Sequence, residues 1–227
     1  MIKENPKDLV PTFFNDTSNS YDDIVHWTTF GKDSLWKHKI LEQLSDEKTV
    51  LDLACGTGIL TKQIAKKLPQ AKITGVDITK SYLEKAKKKL ISYPNISFVN
   101  QDAEKLNLEK KFDCITTSYL PKYCTAKILI ENCIEHLNVG GKIILHDFTY
   151  PKNFFVRKMW NLYFKLLYFL GFFIPNWKNV FVDLPSLIRA TNWVKEYEET
   201  MRDYGMTIHR QDFTCGTSAI IVGTKTA

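Results

Sequence analysis

Val50-Leu51-Asp52-Leu53-Ala54-Cys55-Gly56-Thr57-Gly58 is the stretch that decides the fold. Its first half is a short apolar run of the kind that makes a buried strand, and its second half puts two glycines where that strand turns into a helix. Glycine there permits left-handed backbone angles and close approach of a ligand, while the helix start offers free N–H groups. A strand–helix alternation spreads from this point. Strands are expected over 49–54, 72–76, 96–99, 112–117 and 142–147, helices over 58–68, 80–90 and 128–137, and a turn over 138–141. Strands separated by helices imply a parallel sheet covered on both faces. Beyond an aromatic-rich stretch over 150–190, a helix over 192–204 precedes two strands, 206–213 and 218–224, joined at Cys215-Gly216. The expectation is a Rossmann-like α/β fold: a doubly wound, mostly parallel, seven-stranded sheet with an antiparallel edge.

Upstream of the sheet, residues 1 to about 20 read as polar and irregular. From Tyr21 to Leu44 apolar residues recur at helical spacing (Ile24, Trp27, Leu35, Trp36, Ile40, Leu44), which predicts one or two amphipathic helices. The expected organisation is a helical cap over 1–44 and a ligand-binding domain over 45–227, with the 150–190 insertion covering the ligand. A chain of 227 residues suits one elaborated domain of this kind.

Composition narrows the functional classes. Apolar residues make up 44% and charged residues 25%, as in ordinary globular proteins. Much of the net charge of +6 sits in Lys85, Lys87, Lys88 and Lys89 on one predicted helix. That pattern reads as a solvated face, so no nucleic-acid partner is expected. Five cysteines, an odd number with no C-x-x-C pair, point to reduced structural thiols and no metal site. Lys3, Glu4, Lys7 and Asp8 stand where a secretory signal would be apolar, so a cytoplasmic protein is expected.

Two acidic residues sharpen the glycine loop. Asp77 closes the second strand 21 residues beyond Gly56, where a carboxylate accepts from both hydroxyls of an adenosine ribose. Asp102-Ala103 follows the third strand, placed to meet an adenine edge. A dinucleotide site prefers G-x-G-x-x-G, but the third position here is Thr61, and Asp52 would put negative charge near a pyrophosphate. S-adenosylmethionine (AdoMet) has no phosphate and carries an ammonium and a sulfonium, so an acidic loop suits it. AdoMet is therefore the expected cofactor. Its contacts are assigned to Asp52, Ala54, Gly56, Thr57 and Gly58 of the loop, to Asp77 with Ile78, and to Asp102 with Ala103.

With these residues in view, the chain resembles the UbiE/MenG/COQ5 family of quinone-biosynthesis C-methyltransferases. Phe14…Tyr21-Asp22…Phe30-Gly31…Trp36 is similar to the family's opening F…YD…FG…W. VLDLACGTG (50–58), TGVDITKSYL (74–83), QDAEKL (101–106) and FDCITTS (112–118) are similar to its cofactor motifs. Gly140-Gly141-Lys142, Asp147-Phe148, Leu184-Pro185…Ile188-Arg189 and Cys215-Gly216-Thr217 resemble later segments. The resemblance implies the class I methyltransferase fold, and it implies that Thr61, Asp77, Asp102, Ala103 and Ser118 touch AdoMet. It also implies methylation of a ring carbon of a prenylated quinol in menaquinone or ubiquinone biosynthesis. One loop departs from the pattern. Where the family reads FGLRN after its serine, this chain reads Tyr119-Leu120-Pro121-Lys122-Tyr123, and lysine lacks arginine's planar fork. A different small-molecule acceptor, or a non-enzymatic AdoMet-binding accessory role, stays open at this point.

Carbon methylation of a quinol needs a ring hydroxyl to ionise, so a base or positioned water would help. The candidates are His146 at the end of the fifth strand, Asp147 beside it (which could instead orient substrate or cap a turn), and Tyr21 or Asp22 of the cap, with Lys122 counted among the catalytic residues as a substrate contact. Cys55 has no base beside it and reads as packing. The segment FFVRKMWNLYFKLLYFLGFFIP (154–175) is interrupted by Arg157, Lys158 and Lys165, so it is too short to cross a bilayer. It reads as a helix packed over the sheet, as a wall for a lipophilic substrate, or as a peripheral membrane contact. The partners expected are a small lipophilic substrate and such a membrane contact, with a homodimer as an open state.

Overall fold

Strand β1 (Thr49–Leu53) is the hub of the molecule because its side chains serve two cores at once. Leu51 and Leu53 point to one face and Val50 to the other, the period-two alternation of a strand buried on both sides. A computed structural model describes residues 6–14 and 17–225, so Lys3 and Glu4 lie outside the described residues. From β1 the chain continues through α4 (Ile59–Lys67), β2 (Lys72–Asp77), α5 (Lys80–Lys89), β3 (Ile96–Asn100), β4 (Phe112–Ser118), α6 (Ala126–Glu135) and β5 (Leu137–Phe148). After α7 (Phe154–Leu170), α8 (Lys178–Ala190) and α9 (Trp193–Asp203), it ends in β6 (Met206–Phe213) and β7 (Ser218–Lys225).

These strands form one seven-stranded sheet in the order β3-β2-β1-β4-β5-β7-β6. β1 pairs in parallel with both β2 and β4, while β7 runs antiparallel to both neighbours, β5 and β6. The order reverses beside β1, so β1 and β4 splay their carboxyl ends apart and leave the crevice where such sheets bind ligands. On one face α6 and α9 supply Leu129, Ile130, Trp193, Tyr197 and Met201, packed on Leu51, Ile115, Leu145 and Ile221. On the other, α3 (Lys32–Glu42) and α4 supply Ile40 and Ile64, packed on Val50, Ile73, Ile144 and Ile220.

The structure departs from the sequence expectations at three places. Residues 6–14 are helical rather than irregular: a short turn over Pro6–Asp8 leads into α1 (Leu9–Phe14). Phe13 is fully buried there, because four apolar residues in six suffice to seat a single turn and a half on a core. Leu137 opens β5 instead of ending the preceding helix. It pairs with Phe112, and a register shift between Phe112 and Cys114 absorbs the 138–141 segment into the strand. The third departure concerns the insertion. α7 and α8 do not cover the crevice; α1 and α2 (Tyr21–Thr28) do, and the insertion stands behind them. Leu167 of α7, Val180, Phe181 and Leu187 of α8, and Trp177 before it form a third core with Phe13, Tyr123 and the inner faces of α1 and α2. Among the described residues no helix is long and apolar enough to cross a membrane.

Candidate active site

The loop after β1 holds its shape through backbone angles that few residues accept. Ala54, Gly56 and Gly58 all have positive φ (52°, 57° and 83°). At Gly58 a Cβ would also stand 2.8 Å from Leu90 Cδ1, so glycine is required twice over, for the angle and for the contact with α5. The Asp77 carboxylate ties this loop to β2. One oxygen accepts from Gly56 N at 2.8 Å and the other from Thr79 N at 2.7 Å, ahead of α5. Asp77 therefore braces the entry to α5 and also faces the crevice, as the ribose role expected of it requires.

The crevice is a cavity of about 730 Å³, lined on the sheet side by Ala54, Gly56, Asp77, Ile78, Asp102, Ala103 and Ser118. A narrower extension of about 330 Å³ reaches under the glycine loop to Asp52, Thr57 and Lys37. Tyr21, Ala54, Gly56, Ser118 and Tyr119 line both, so the two spaces adjoin. Three carboxylates, those of Asp52, Asp77 and Asp102, face this space, and no lysine or arginine comes from the glycine loop itself. Those acceptors fit a ligand with hydroxyls and a cationic end.

Three residues assigned to cofactor contact stand differently, the first being Gly58, which packs on Leu90 and Ala86 and lines neither space. Thr61 does not reach the cavity. It is fully buried and donates to Asp52 Oδ2 at 2.6 Å, so it holds the carboxylate that does face the space. Burial pushes the Asp52 carboxyl up to about 7, opposed by the Thr61 hydroxyl and by the charge of Lys37. Asp102 is engaged as well: Oδ1 accepts from Glu104 N at 3.0 Å, and Oδ2 pairs with the Lys7 ammonium of the cap. Lys7 also reaches Glu104 at 2.8 Å. A second polar latch sits at the opposite end, where Asp22 accepts from the Thr57 hydroxyl and pairs with Lys89 of α5. The N-terminal cap is thus fastened across the mouth at both ends.

Of the residues picked for chemistry, Tyr21 lines the cavity, and His146 and Lys122 do not. His146 is fully buried, with Nδ1 2.8 Å from Ser118 Oγ and Nε2 2.9 Å from Ser218 Oγ. Burial holds its pKa well below the usual histidine value, and the charges of Lys37 and Lys122 push the same way. A neutral imidazole with both nitrogens engaged is a spacer between β4 and β7, unavailable as a base. Lys122 turns inward from its loop. Its Nζ donates to Asp147 Oδ1 at 2.8 Å and to Tyr119 O at 2.7 Å, and it lies 4.4 Å from the centre of the Tyr123 ring. Burial drives the ammonium's pKa down and the Asp147 carboxyl's up, each opposed by the partner's charge. The pair is a buried floor beneath the cavity. Its position accounts for the unusual loop: the lysine is spent on Asp147, leaving Tyr119, Leu120 and Tyr123 to face the ligand.

The residue that sequence reasoning passed over is Tyr119. Its φ of 74° is rare for a bulky side chain, and such strain persists only where the surroundings impose it. Its N donates to His146 O, its ring stacks on Phe148 at 4.8 Å, and its hydroxyl donates to Asp33 Oδ1 at 2.8 Å. Asp33 is in turn ion-paired with Lys37 one helical turn on, both nearly buried. Burial and the Asp33 charge hold the Tyr119 phenol well above the ordinary tyrosine pKa, so it stays protonated. The one available signal was spacing, since Asp33 and Lys37 are four apart on one face of a predicted helix.

Comparison with known proteins gives one family and one fold. The model of the ubiE/COQ5 methyltransferase family matches residues 1–225. A demethylmenaquinone methyltransferase of Lactococcus lactis is 31% identical over 182 residues, covering 75% of this chain and 71% of its own. A ubiquinone/menaquinone biosynthesis C-methyltransferase UbiE of Shewanella halifaxensis is 29% identical over 232 residues, covering 98% and 92%. Among solved structures, the plantazolicin methyltransferase BpumL, with a monoazolic desmethylPZN analog and SAH, superposes with a TM-score of 0.67 at 14% identity, covering 98% of this chain and 95% of its own. The N-methyltransferase NodS of Bradyrhizobium japonicum, with S-adenosyl-L-homocysteine, gives 0.61 at 14%, covering 98% and 99%. At such identities the superpositions speak for the fold, a class I methyltransferase.

Proposed function

The chain belongs to the ubiE/COQ5 methyltransferase family and is an AdoMet-dependent methyltransferase, and on that premise we propose that it methylates a ring carbon of a prenylated quinol or a closely related lipophilic aromatic. The observation that carries this reading is the acceptor side of the cavity. Val10, Phe14, Tyr21, Leu120 and Tyr123 make apolar and aromatic walls around Tyr119, with the Asp33 carboxylate behind its hydroxyl.

AdoMet, when bound, supplies an electrophilic methyl carbon; the chain's task is to hold both reactants in line and to move one proton. Asp77 suits the ribose hydroxyls, Ala103 and Ile78 the adenine faces, and Asp52 the ammonium. Gly56 leaves the backbone open alongside, and Lys37 lines the same narrow extension as Asp52, where it can take the ligand's carboxylate. On the acceptor side, a ring hydroxyl donating to Tyr119 Oη lets the tyrosine pass its own proton to Asp33. The ring gains phenolate character and its neighbouring carbon becomes the nucleophile. Once that carbon carries the methyl, its own hydrogen leaves to solvent as a proton, and the hydroxyl regains the proton held at Asp33, so the aromatic ring is restored with a net release of one proton. Tyr119 acts as a conduit because its high pKa keeps it from serving as a free base, and Asp33 is the terminal acceptor.

Transfer of tritiated methyl from AdoMet to a demethylated prenyl quinol, with the product mapped by mass spectrometry, tests the acceptor. Label on a ring carbon is the expected result. Robust transfer to an unrelated metabolite set, with none to the quinol, would overturn the acceptor assignment while leaving the enzyme class intact.

A further inference from the structure

Helix α7 is apolar around nearly its whole circumference, yet only one side of it is packed. Trp160 and Leu167 are buried, and Tyr163 and Phe164 are half-buried on the same inner face. Phe155, Met159, Leu162, Leu166 and Phe169 follow at alternating steps of four and three, and all are exposed, Phe155 by 74%. The stripe continues past the helix end into Phe172 and Phe173, the latter 84% exposed. Phe30 extends it sideways. It is 79% exposed, adopts a φ of 52° that a bulky residue avoids, and rests its ring 5.7 Å from Tyr163. Single exposed hydrophobics are ordinary, but a contiguous row of this size is a surface waiting for an apolar partner.

The charge around the row selects the partner. From Phe148 to Val182 the sequence holds Lys152, Arg157, Lys158, Lys165 and Lys178 and no aspartate or glutamate. Lys152, Lys158, Lys165 and Lys178 are exposed on the borders of the stripe, with Lys158 4.6 Å from the Phe154 ring centre and Lys178 5.3 Å from that of Phe172. A second copy of this chain would bring the same uncompensated cations face to face. An anionic bilayer supplies both things the surface lacks, apolar depth for the rings and negative headgroups for the lysines. The fourteen steps from Phe155 to Phe169 span about 21 Å at 1.5 Å per residue, short of the roughly 30 Å hydrocarbon core. The helix can therefore lie in the interface and cannot cross it.

We propose that the exposed face of α7, continued by Phe172, Phe173 and Phe30, is a docking surface for an anionic lipid bilayer. The inner face of the same helix belongs to the core that backs Phe13 and Tyr123 at the cavity, so docking would set the cap of the active site against the lipid. The proposal rests on this surface alone and stands apart from the identity of the methyl acceptor, because it is read by binding and needs no turnover.

The test is co-sedimentation of the full chain with vesicles of phosphatidylcholine alone, or of phosphatidylcholine with about 30 mol% phosphatidylglycerol, at low and at about 0.5 M salt. Binding to the anionic vesicles is expected to exceed binding to the neutral ones at least tenfold and to fall with salt. The triple variant Phe155→Ser, Phe169→Ser, Phe173→Ser should lose about tenfold or more of that binding, with AdoMet binding and near-UV dichroism intact as the check on folding. The milder pair Lys158→Gln and Lys165→Gln should each lose roughly fivefold. The proposal fails if the wild-type chain ignores anionic vesicles, or if the folded triple variant binds them as well as wild type. It also fails if the chain forms a dimer that the triple variant dissolves while no vesicle binding is seen.

Discussion

The two halves of the cavity are built in different ways. The cofactor half is local: Asp52, Ala54, Gly56 and Thr57 come from one nine-residue stretch, Asp77 closes the next strand along, and Asp102 follows the strand after that. The acceptor half is assembled from distant pieces: Val10 and Phe14 of α1, Tyr21 of α2, Asp33 of α3, and Tyr119, Leu120 and Tyr123 after β4. A local site is constrained by backbone angles and strand-end spacing, which leave a signature in sequence. A composite site is constrained by packing, which leaves none until the pieces are together.

The sharpest contrast is Lys122, whose loop belongs to the acceptor half although its charge never reaches the cavity. Lys122→Ala strands the Asp147 carboxylate in a buried setting and should cost about 3–5 kcal/mol of stability in denaturant unfolding, while AdoMet affinity in the remaining folded protein stays near wild type. A direct acceptor contact would produce the opposite pattern, normal stability with impaired transfer. Gly58→Ala attacks the cofactor half at its stiffest point. The left-handed angle and the 2.8 Å approach to Leu90 predict a loss on the order of 2–4 kcal/mol, seen as a lowered melting temperature and weakened AdoMet binding together. Asp77→Ala removes the acceptor for Gly56 N and Thr79 N and should weaken AdoMet binding by about 1–3 kcal/mol by calorimetry. Unchanged affinity in a folded variant would contradict the ribose assignment.

Asp52 separates the halves by pH. Its pKa in the folded chain, about 7, lies above the 3.8 of an unburied carboxyl. The stability it contributes is therefore full below about pH 4 and is lost as pH rises through about 7. Asp52→Asn should flatten the melting temperature of the ligand-free chain across that window. Because a cationic ligand favours the ionised carboxylate, wild-type AdoMet affinity should rise with pH through about 7, and the variant's should not.

The same division explains what could be read from the chain. The glycine loop, Asp77 and the strand–helix alternation have fixed periods and spacings, and the seven-stranded sheet follows from them. Thr61, which the family resemblance sets against the ligand, lies one layer behind it, because a shared motif shows which turn a residue occupies and not whether a carboxylate lies in between. His146 looked reactive as a strand-end histidine, and only the flanking Ser118 and Ser218 hydroxyls, the second 72 residues away, show it to be enclosed. The aromatic insertion was legible as apolar, but a composition cannot say which side of a helix will be left uncovered. That the roof comes from α1 and α2, with the insertion behind, is a fact of tertiary packing alone.

In the proposed mechanism, a fixed cofactor cradle serves an acceptor side whose proton leaves through Tyr119 to Asp33. Tyr119→Phe keeps the ring, its stacking on Phe148 and the cavity's shape, and deletes only the hydroxyl. Measured side by side in that variant, AdoMet Kd should stay within about twofold of wild type while methyl transfer falls at least about tenfold. Transfer at the wild-type rate with Kd unchanged would contradict the account.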